Sequence, residues 1–367
     1  MNGILKQVPN SSENVCLVSG DHSIHHLDHL AVIAYIMDAP IVVDTEQLHK
    51  IIRNYYPQVK SLYMQFHQQI LEYFGFNHKR IFFSVASYKG DLSPMIEAFF
   101  GKKMEFWYCP HGNSDKTLKH YDMQSHALIY GEQMKNRLQR ESHMKALKTY
   151  VCTGNVRALF YRKFKKFYDQ LVEREIFSQF IKKQTTYFYA PTWEDSERSS
   201  SFFDISISLI NQLPDSINLI VKMHPWLEHH HSGYVNLIRE QYQNKPNVVI
   251  LCDYPLVFPI LEKIDLYLGD FSSIGYDFLA YNRPMFFFDP QKRVCTRKNS
   301  AHLHTCGTVI PSESCNACFP FMDVHIKEQS HLSYVRQKLY EEAFGQEQTF
   351  TSIKAIVENG GNTPFLL

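Results

Sequence analysis

Short apolar runs alternate with longer amphipathic stretches along most of the chain. In the first half, the runs at 15–18 and 105–108 are typical of buried strands, and residues 25–37 have the apolar spacing of a helix. The spacing over 59–74 likewise predicts an amphipathic helix. Repeated strand, polar turn and helix in this order predict a doubly wound α/β domain.

The pattern resumes after residue 185, which predicts a second domain of the same class. Its predicted strands lie at 186–189, 219–221, 248–251, 266–268 and 285–288, with helices over 203–213 and 256–264. We therefore predict domains over 1–180 and 181–345, followed by a tail over 346–367. Polar turns follow the carboxyl ends of the predicted strands, so we expect them to face a cleft between the two domains.

Composition excludes several classes of protein. The 367 residues carry a net charge of +1 with histidine neutral, which argues against a general nucleic-acid binder. No apolar run is long enough to span a membrane, and the first ten residues lack the apolar core of a signal peptide. We expect a cytoplasmic protein, in which the eight cysteines are reduced thiols.

The stretch 265–290 combines a strand, a polar turn and a helix start, and it carries the strongest candidate chemistry. Ser272 and Ser273 stand at the turn, where hydroxyls and backbone N–H groups can donate to phosphate oxygens. Asp277 lies one helical turn further on and could accept hydrogen bonds from a ribose. An ordinary N-cap serine pair is the alternative interpretation.

Three other strand ends carry polar side chains. His111 precedes Gly112 at one of them, Thr192 follows another, and Lys222 with His224 closes a third. Proline neighbours both histidines, at 110 and 225, and proline fixes the local backbone. An imidazole held in this way can exchange a proton near neutral pH. Taken singly, each of these residues could instead be structural.

Two further groups hold potential ligands. The first strand-to-helix turn carries His22, His25, His26, Asp28 and His29. This group could bind an acceptor, or a metal with Asp28, or it could simply begin a polar helix. The second group contains a Cys-x-x-Cys and consists of Cys295, His302, His304, Cys306, Cys315 and Cys318. Zinc held by Cys306, Cys315 and Cys318 is one interpretation, and scattered thiols are the one we favour.

Basic and aromatic residues alternate over 156–184. A solvated helical linker is the interpretation we favour. The alternative is a surface that rests on anionic lipid, since such stretches suit a membrane interface.

Several motifs together resemble a known family. The runs YAPTWED at 189–195, KMHP at 222–225 and GDFSSIGYDFLAYNRPMFFFDP at 269–290 resemble the CDP-glycerol glycerophosphotransferases of teichoic acid synthesis. The turns CPHGNSDKT at 109–117 and CTGNVR at 152–157 resemble that family more loosely. We extend no resemblance to the first hundred residues.

Three departures from the family's pattern stand out. Gly269 replaces its usual Thr, Phe271 replaces its usual Tyr, and Asn-Ser replaces Thr-Pro after His111-Gly112. The last departure lies beside the implied acceptor site and leaves the acceptor open.

The resemblance implies a GT-B-like fold of two Rossmann-type domains, with the acceptor in the first and the nucleotide donor in the second. It implies transfer of glycerol phosphate, or a related phosphopolyol, from a CDP-linked donor to a hydroxyl, without a cofactor or metal. His111 would be the base and His224 would bond the pyrophosphate or leaving CMP. The implied nucleotide or phosphate residues are Thr192, Lys222, Asp270, Ser272, Ser273, Asp277, Asn155 and Arg157. Independently of the resemblance, the candidate acceptor-side residues are His25, His29 and Lys116.

The partners follow from the same resemblance. The donor is a CDP-linked polyol, a lipid-linked acceptor would suit a peripheral position on the inner face of the membrane, and no nucleic acid is involved. Two alternatives stay open: a nucleotide-sugar glycosyltransferase or epimerase of the same fold, and a non-catalytic nucleotide-binding protein. Binding of UDP instead of CMP or CDP would favour the first, and absence of turnover would favour the second.

Overall fold

The computed structural model describes residues 12–193, 200–289 and 302–362. The contacts within the chain divide it into two units. Unit 1 comprises Met1–His111, Thr117–Arg157 and Ala343–Leu367, and unit 2 comprises Gly112–Lys116 and Ala158–Glu342. The contact boundaries thus lie near 157 and 342, where the sequence analysis places its boundaries at 180 and 345.

Unit 1 contains a parallel sheet of seven strands. The strands are β1 (Asn14–Val18), β2 (Ile41–Val43), β3 (Ser61–Tyr63), β4 (Arg80–Phe83), β5 (Glu105–Tyr108), β6 (His126–Ile129) and β7 (Thr149–Cys152). Their order in the sheet is β3-β2-β1-β4-β5-β6-β7. The chain therefore runs outward from β1 to one edge and returns to the other side of β1 with β4, which is the doubly wound arrangement.

Unit 2 contains a parallel sheet of six strands. The strands are β8 (Thr186–Ala190), β9 (Asn218–Lys222), β10 (Val248–Leu251), β11 (Leu266–Gly269), β12 (Met285–Phe288) and β13 (Thr308–Ile310). Their order is β10-β9-β8-β11-β12-β13, so the direction of winding reverses between β8 and β11. In open α/β sheets, ligands bind beyond the carboxyl ends of the strands at this reversal, called the switch point.

Helices connect the strands of both sheets. The described α-helices are α1 (Ile24–Ile36), α2 (Glu46–Tyr55), α3 (His67–Asn77), α4 (Tyr88–Phe100), α5 (Glu132–Arg140), α6 (Val156–Lys163), α7 (Lys165–Glu175), α8 (Phe202–Gln212), α9 (Pro225–His230), α10 (Ser232–Tyr242), α11 (Phe258–Leu261), α12 (Ser273–Phe278), α13 (Cys318–His325), α14 (Ser333–Phe344) and α15 (Phe350–Glu358). Among the described residues, no helix has the length and apolar character needed to cross a membrane.

The strand sequences explain the layered core. All residues of β8, β11 and β12 are buried, and these strands are almost continuous apolar runs. A strand with this composition fits a parallel sheet covered by helices on both faces, because both sets of its side chains are removed from water. The predicted α/β class with two doubly wound domains is confirmed.

Three local predictions differ from the structure. The helix expected over 59–74 is instead an edge strand, β3, followed by α3 from His67. The helix expected over 256–264 is limited to Phe258–Leu261. Residues 350–358 of the predicted tail form α15, whose Phe350 ring lies 5.5 Å from Tyr35 of α1.

Candidate active site

The turns after β8 and β11 meet at the switch point of unit 2. In the sheet, Gly269 at the end of β11 is paired with Ala190 at the end of β8. Asp270 ties the two turns together, because one of its carboxylate oxygens accepts the Thr192 backbone N–H (2.7 Å) and both accept that of Ser201 (3.2 Å each). Asp270 is fully buried, so its side chain holds the walls of the site and is not open to a ligand.

The environment of Asp270 shifts its proton affinity. Burial raises the pKa of Asp270 to about 6, and the hydrogen bonds from Ser201 and Thr192 and the positive charge of Lys116 act in the opposite direction. At neutral pH, Asp270 therefore carries a negative charge directly beneath the switch point.

Two serines stand at the start of α12. Ser272 is the N-cap residue, with an extended backbone, and its hydroxyl lies 3.1 Å from that of Tyr267. Ser273 is half-buried. Gly269 is required here, since a Cβ at this position would overlap the Tyr267 hydroxyl. The departure from the family's Thr is therefore matched by a tyrosine that occupies the space of the missing side chain.

Asp277 lies one helical turn beyond Ser273, as the sequence predicts, but it is buried. Its side chain belongs to α12, but the residue is only 1% exposed. A ribose would need an accessible carboxylate, so the buried position of Asp277 does not favour the ribose role that the resemblance implies.

His224 closes β9 and caps α9. Its Nδ1 accepts the backbone N–H of Trp226 (3.2 Å), so in the neutral ring the proton sits on Nε2. The ring is therefore held with a defined donor nitrogen, as a role in binding a phosphate oxygen requires. Lys222, the last residue of β9, is 6% exposed. Burial raises the pKa of the nearby Glu228 to about 7, and the positive charge of Lys222 acts in the opposite direction.

Residues 112–116 contribute to unit 2 although the strand before them, β5, belongs to unit 1. The Lys116 ammonium donates to the Thr192 hydroxyl over 3.2 Å. The sequence analysis assigns Lys116 to the acceptor side, whereas the structure places it beside a residue expected to bind the nucleotide. Nothing in its spacing along the chain indicates this contact, since Thr192 lies 76 residues away.

In unit 1, three imidazoles gather behind the ends of β1 and β5. The His26 and His111 rings are stacked at 4.8 Å, and the His25 ring meets both edge-on, at 4.1 and 5.6 Å. Their ligand nitrogens all lie within 4.8 Å of one another, so these are the described residues close enough to share a metal ion. His111 is exposed, and it can exchange protons with solvent or a bound hydroxyl.

The neighbours of this imidazole group are bonded to other residues of unit 1. Asp28 forms a buried ion pair with Arg157, with Oδ2 and Nη1 2.7 Å apart. His29 hydrogen-bonds the Tyr130 hydroxyl (3.2 Å), and burial, with the nearby charge of Arg157, lowers the pKa of His29 well below its usual range. Arg157 was expected to bind the nucleotide with Asn155, yet its side chain is only 4% exposed and is committed to Asp28. Asn155 lies half-buried just before α6.

Cys306, Cys315 and Cys318, weighed as an alternative zinc site, are not grouped as metal ligands among the described residues. Cys306 is buried in a short helical turn before β13, while the Cys315 thiol contacts the Pro311 carbonyl and the Cys318 thiol contacts Gln212. Within the described residues, only the three imidazoles of unit 1 form a potential metal-binding group. Cys295 lies outside the described residues.

The basic and aromatic stretch folds into α6 and α7. Its rings at Phe160, Tyr161 and Tyr168 are buried, so the stretch does not present them as a lipid-facing surface. Lys165 pairs with Asp169 (3.1 Å) and with Glu262 (2.6 Å). The stretch is helical, as predicted, and its residues from Ala158 onward pack within unit 2.

The chain is similar in sequence to one protein family and to several curated proteins. Residues 113–304 match the model of the family described as CDP-Glycerol:Poly(glycerophosphate) glycerophosphotransferase. The teichoic acid glycerol-phosphate primase of Bacillus subtilis (strain 168) is 26% identical over 136 residues, which are 37% of this chain and 33% of the primase. The teichoic acid ribitol-phosphate polymerase TarL of Staphylococcus aureus (strain NCTC 8325 / PS 47) is 28% identical over 124 residues, which are 32% of this chain and 21% of the polymerase. The matched segments thus span a third or less of these curated relatives.

The fold similarity extends further than the sequence similarity. A structure of the wall teichoic acid polymerase TagF superposes with a TM-score of 0.63 at 14% identity, covering 95% of this chain and 88% of that chain. A structure of the same polymerase soaked with CDPG gives a TM-score of 0.62. At this identity the match shows a shared fold, which agrees with the GT-B-like prediction.

Proposed function

Since the chain belongs to the CDP-glycerol:poly(glycerophosphate) glycerophosphotransferase family, whose model matches more than half of it, we propose that it transfers a phosphopolyol from a CDP-linked donor to an acceptor hydroxyl. The family match confirms the resemblance drawn from the sequence. The observation that supports the proposal is that β9, β8 and β11 are neighbours in the sheet, so that the polar side chains after their carboxyl ends lie at one edge of unit 2, beside its switch point.

The donor site in this proposal consists of side chains that are partly accessible or lie directly under the turns. Ser272 and Ser273 donate hydroxyl protons to phosphate oxygens, and Thr192 lines the same turn region. His224 donates from Nε2, the nitrogen left protonated by the bond at Nδ1. Lys222 adds a positive charge that offsets the diphosphate. CDP-glycerol is the first candidate donor, because the family's description names it and a TagF structure was soaked with CDPG.

The transfer breaks a phosphoanhydride bond of the donor and forms a phosphoester bond to the acceptor. The acceptor oxygen forms a bond to the phosphorus that carries the polyol, and the bond from this phosphorus to the oxygen shared with CMP breaks. His111 accepts the proton of the acceptor hydroxyl, and CMP leaves with the electron pair of the broken bond. His224 and Lys222 stabilise the charge that develops on the departing phosphate.

The unit 1 imidazoles support the assignment of His111. The stacked His26 ring and the edge-on His25 ring restrict the orientation of His111, as a base must be oriented to take a proton from one direction.

The acceptor in this proposal is a polyol hydroxyl, and a lipid-linked primer that ends in glycerol phosphate represents that class in the test. With such a primer as its acceptor, the protein would work at the inner face of the membrane.

The test is release of CMP. Purified protein is incubated with CDP-glycerol, CDP-ribitol or UDP-glucose, each with a glycerol-phosphate-terminated lipid in detergent micelles. We expect CMP release with a CDP-alcohol, a loss of about 100-fold or more in His111→Ala, and little change in His331→Ala, a matched exposed histidine. Release of UDP instead of CMP would favour the glycosyltransferase alternative. Tight CDP binding without any release would favour a non-catalytic protein.

A further inference from the structure

A five-residue segment of unit 2, Gly112–Lys116, lies in the chain between two ranges of unit 1, which end at His111 and resume at Thr117. The segment contacts other residues of unit 2 at both of its ends. At its start, Gly112 has a φ of +135°, and a Cβ there would overlap the Cβ of Ser273 and lie 2.7 Å from its Oγ. At its end, the Lys116 ammonium donates to Thr192. The segment therefore extends from the turn after β11 to the turn after β8.

The middle of the segment is fixed by Asp115. One of its oxygens accepts the Tyr276 hydroxyl of α12 (2.7 Å), and the other accepts the backbone N–H of Leu303 (3.2 Å). Tyr276 is fully buried, so this anchor is attached to the core of unit 2. Asn113, also in the segment, is only 2% exposed. The segment is thus an integrated part of unit 2 and presents Lys116 from a fixed backbone.

The electrostatics of the switch point require a positive charge near its surface. Asp270 is buried beneath both turns, and its negative charge opposes the approach of an anionic diphosphate. Lys116 is half-buried beside Thr192 and counters that charge. An ammonium carries three N–H donors, which allows one group to bond the Thr192 hydroxyl and a phosphate oxygen together.

We propose that Lys116 binds the diphosphate of the nucleotide donor, and that Asp115 is the positioning residue that holds Lys116 at the switch point. This inference rests on the proposed function, and it replaces the acceptor-side role that the sequence analysis gives to Lys116. A charge-assisted bond at this position contributes to donor affinity more than to the chemical step, because the diphosphate is bound before and during transfer.

The test measures equilibrium binding by calorimetry with CDP and with cytidine, which has no phosphate. In Lys116→Met we expect the affinity for CDP to fall about 10- to 100-fold. The affinity for cytidine should stay within about twofold of wild type, and the thermal unfolding midpoint within about a degree. Lys116→Arg should recover part of the CDP affinity, because it restores the charge. Lys119→Met, a change at an exposed lysine three residues further on, serves as the matched control.

Asp115→Ala provides the test of positioning. We expect a smaller loss of CDP affinity than in Lys116→Met, and no further loss in the double variant, since both changes remove the same bond. In steady-state assays, Lys116→Met should raise the KM for CDP-glycerol by a similar 10- to 100-fold and lower kcat by only a few-fold. Added salt should weaken CDP binding to wild type more than to Lys116→Met.

The outcomes distinguish a failure of this inference from a failure of the proposed function on which it rests. If wild type binds CDP and Lys116→Met binds it equally well, Lys116 is not a donor ligand, and the proposed function stands. If wild type binds neither CDP nor CDP-glycerol, both proposals are overturned. If Lys116→Met loses its cooperative unfolding transition, Lys116→Gln replaces it, and equal CDP binding by that variant also overturns the inference.

Discussion

The buried pair of Asp28 and Arg157 distinguishes a structural role from a nucleotide-binding role. The two side chains are 2% and 4% exposed, and their charged atoms are 2.7 Å apart. Removing one partner from such a pair leaves an uncompensated charge in the interior, at a cost of about 3–5 kcal/mol. We therefore expect Arg157→Met to lower the unfolding free energy of unit 1 by roughly that amount.

The assay uses denaturant unfolding followed by the fluorescence of Trp107, which is fully buried in unit 1. The double variant Asp28→Leu with Arg157→Met should lose much less than the sum of the single variants, because it leaves no buried charge unpaired. CDP binding, a property assigned to unit 2, should be unchanged in Arg157→Met. A loss of less than about 1 kcal/mol, or a clear drop in CDP affinity, would refute the structural assignment and restore Arg157 as a nucleotide ligand.

Three further predictions concern unit 2. Gly112→Ala should lower the unfolding free energy of unit 2 by about 2–5 kcal/mol, because of the unfavourable positive φ and the overlap with Ser273. Adding Ser273→Gly should recover the steric part of this loss, as measured by denaturant unfolding in a double-mutant cycle. The pKa of Asp270 is raised from 3.8 to about 6, so protonated Asp270 stabilises unit 2 below pH 4. About 3 kcal/mol of unfolding free energy is lost as the pH rises through 6 and Asp270 ionises. Asp270→Asn should remove this pH dependence from the unfolding free energy measured between pH 4 and 7. Glu228 has a pKa raised from 4.5 to about 7, so stability should also decline from pH 4.5 to pH 7, and Glu228→Gln should flatten that part of the profile in the same measurement.

Central strands could be predicted from the sequence because burial on both faces leaves a continuous apolar run. This holds for β8, β11 and β12, whose residues are all buried. The edge strand β3 carries no such signal, since none of its residues is buried. Apolar residues at 59, 62, 63 and 66 have helical spacing, yet hydrogen bonding to β2 holds Ser61–Tyr63 as a strand. Pairing with the neighbouring strand therefore overrides the periodicity.

The sequence predicts which turns carry the candidate site, but it does not predict the contacts between their side chains. Polar turns at strand ends face one edge of a parallel sheet, which is enough to select Thr192, His224 and the serines at 272 and 273. The order of strands, which places β8 beside β11, decides which of these turns meet. Contacts such as Lys116 with Thr192 depend on that order and on the path of a segment 76 residues away, and no local pattern encodes them.

Burial separates two kinds of polar residue that look alike in the sequence. Asp270 and Arg157 both follow strands and both suit a phosphate or ribose, but each is almost wholly buried and bonded to another part of its own unit. A buried charge is stable only while its partners remain, so it cannot exchange them for a substrate in each catalytic cycle. His224 and Lys116 belong to the same turn regions, are half-buried, and can add a ligand to the bonds that orient them. Asp270 and Arg157 therefore fix the geometry of their own turns, and His224 and Lys116 are positions where substitutions should change affinity for the donor without unfolding the protein.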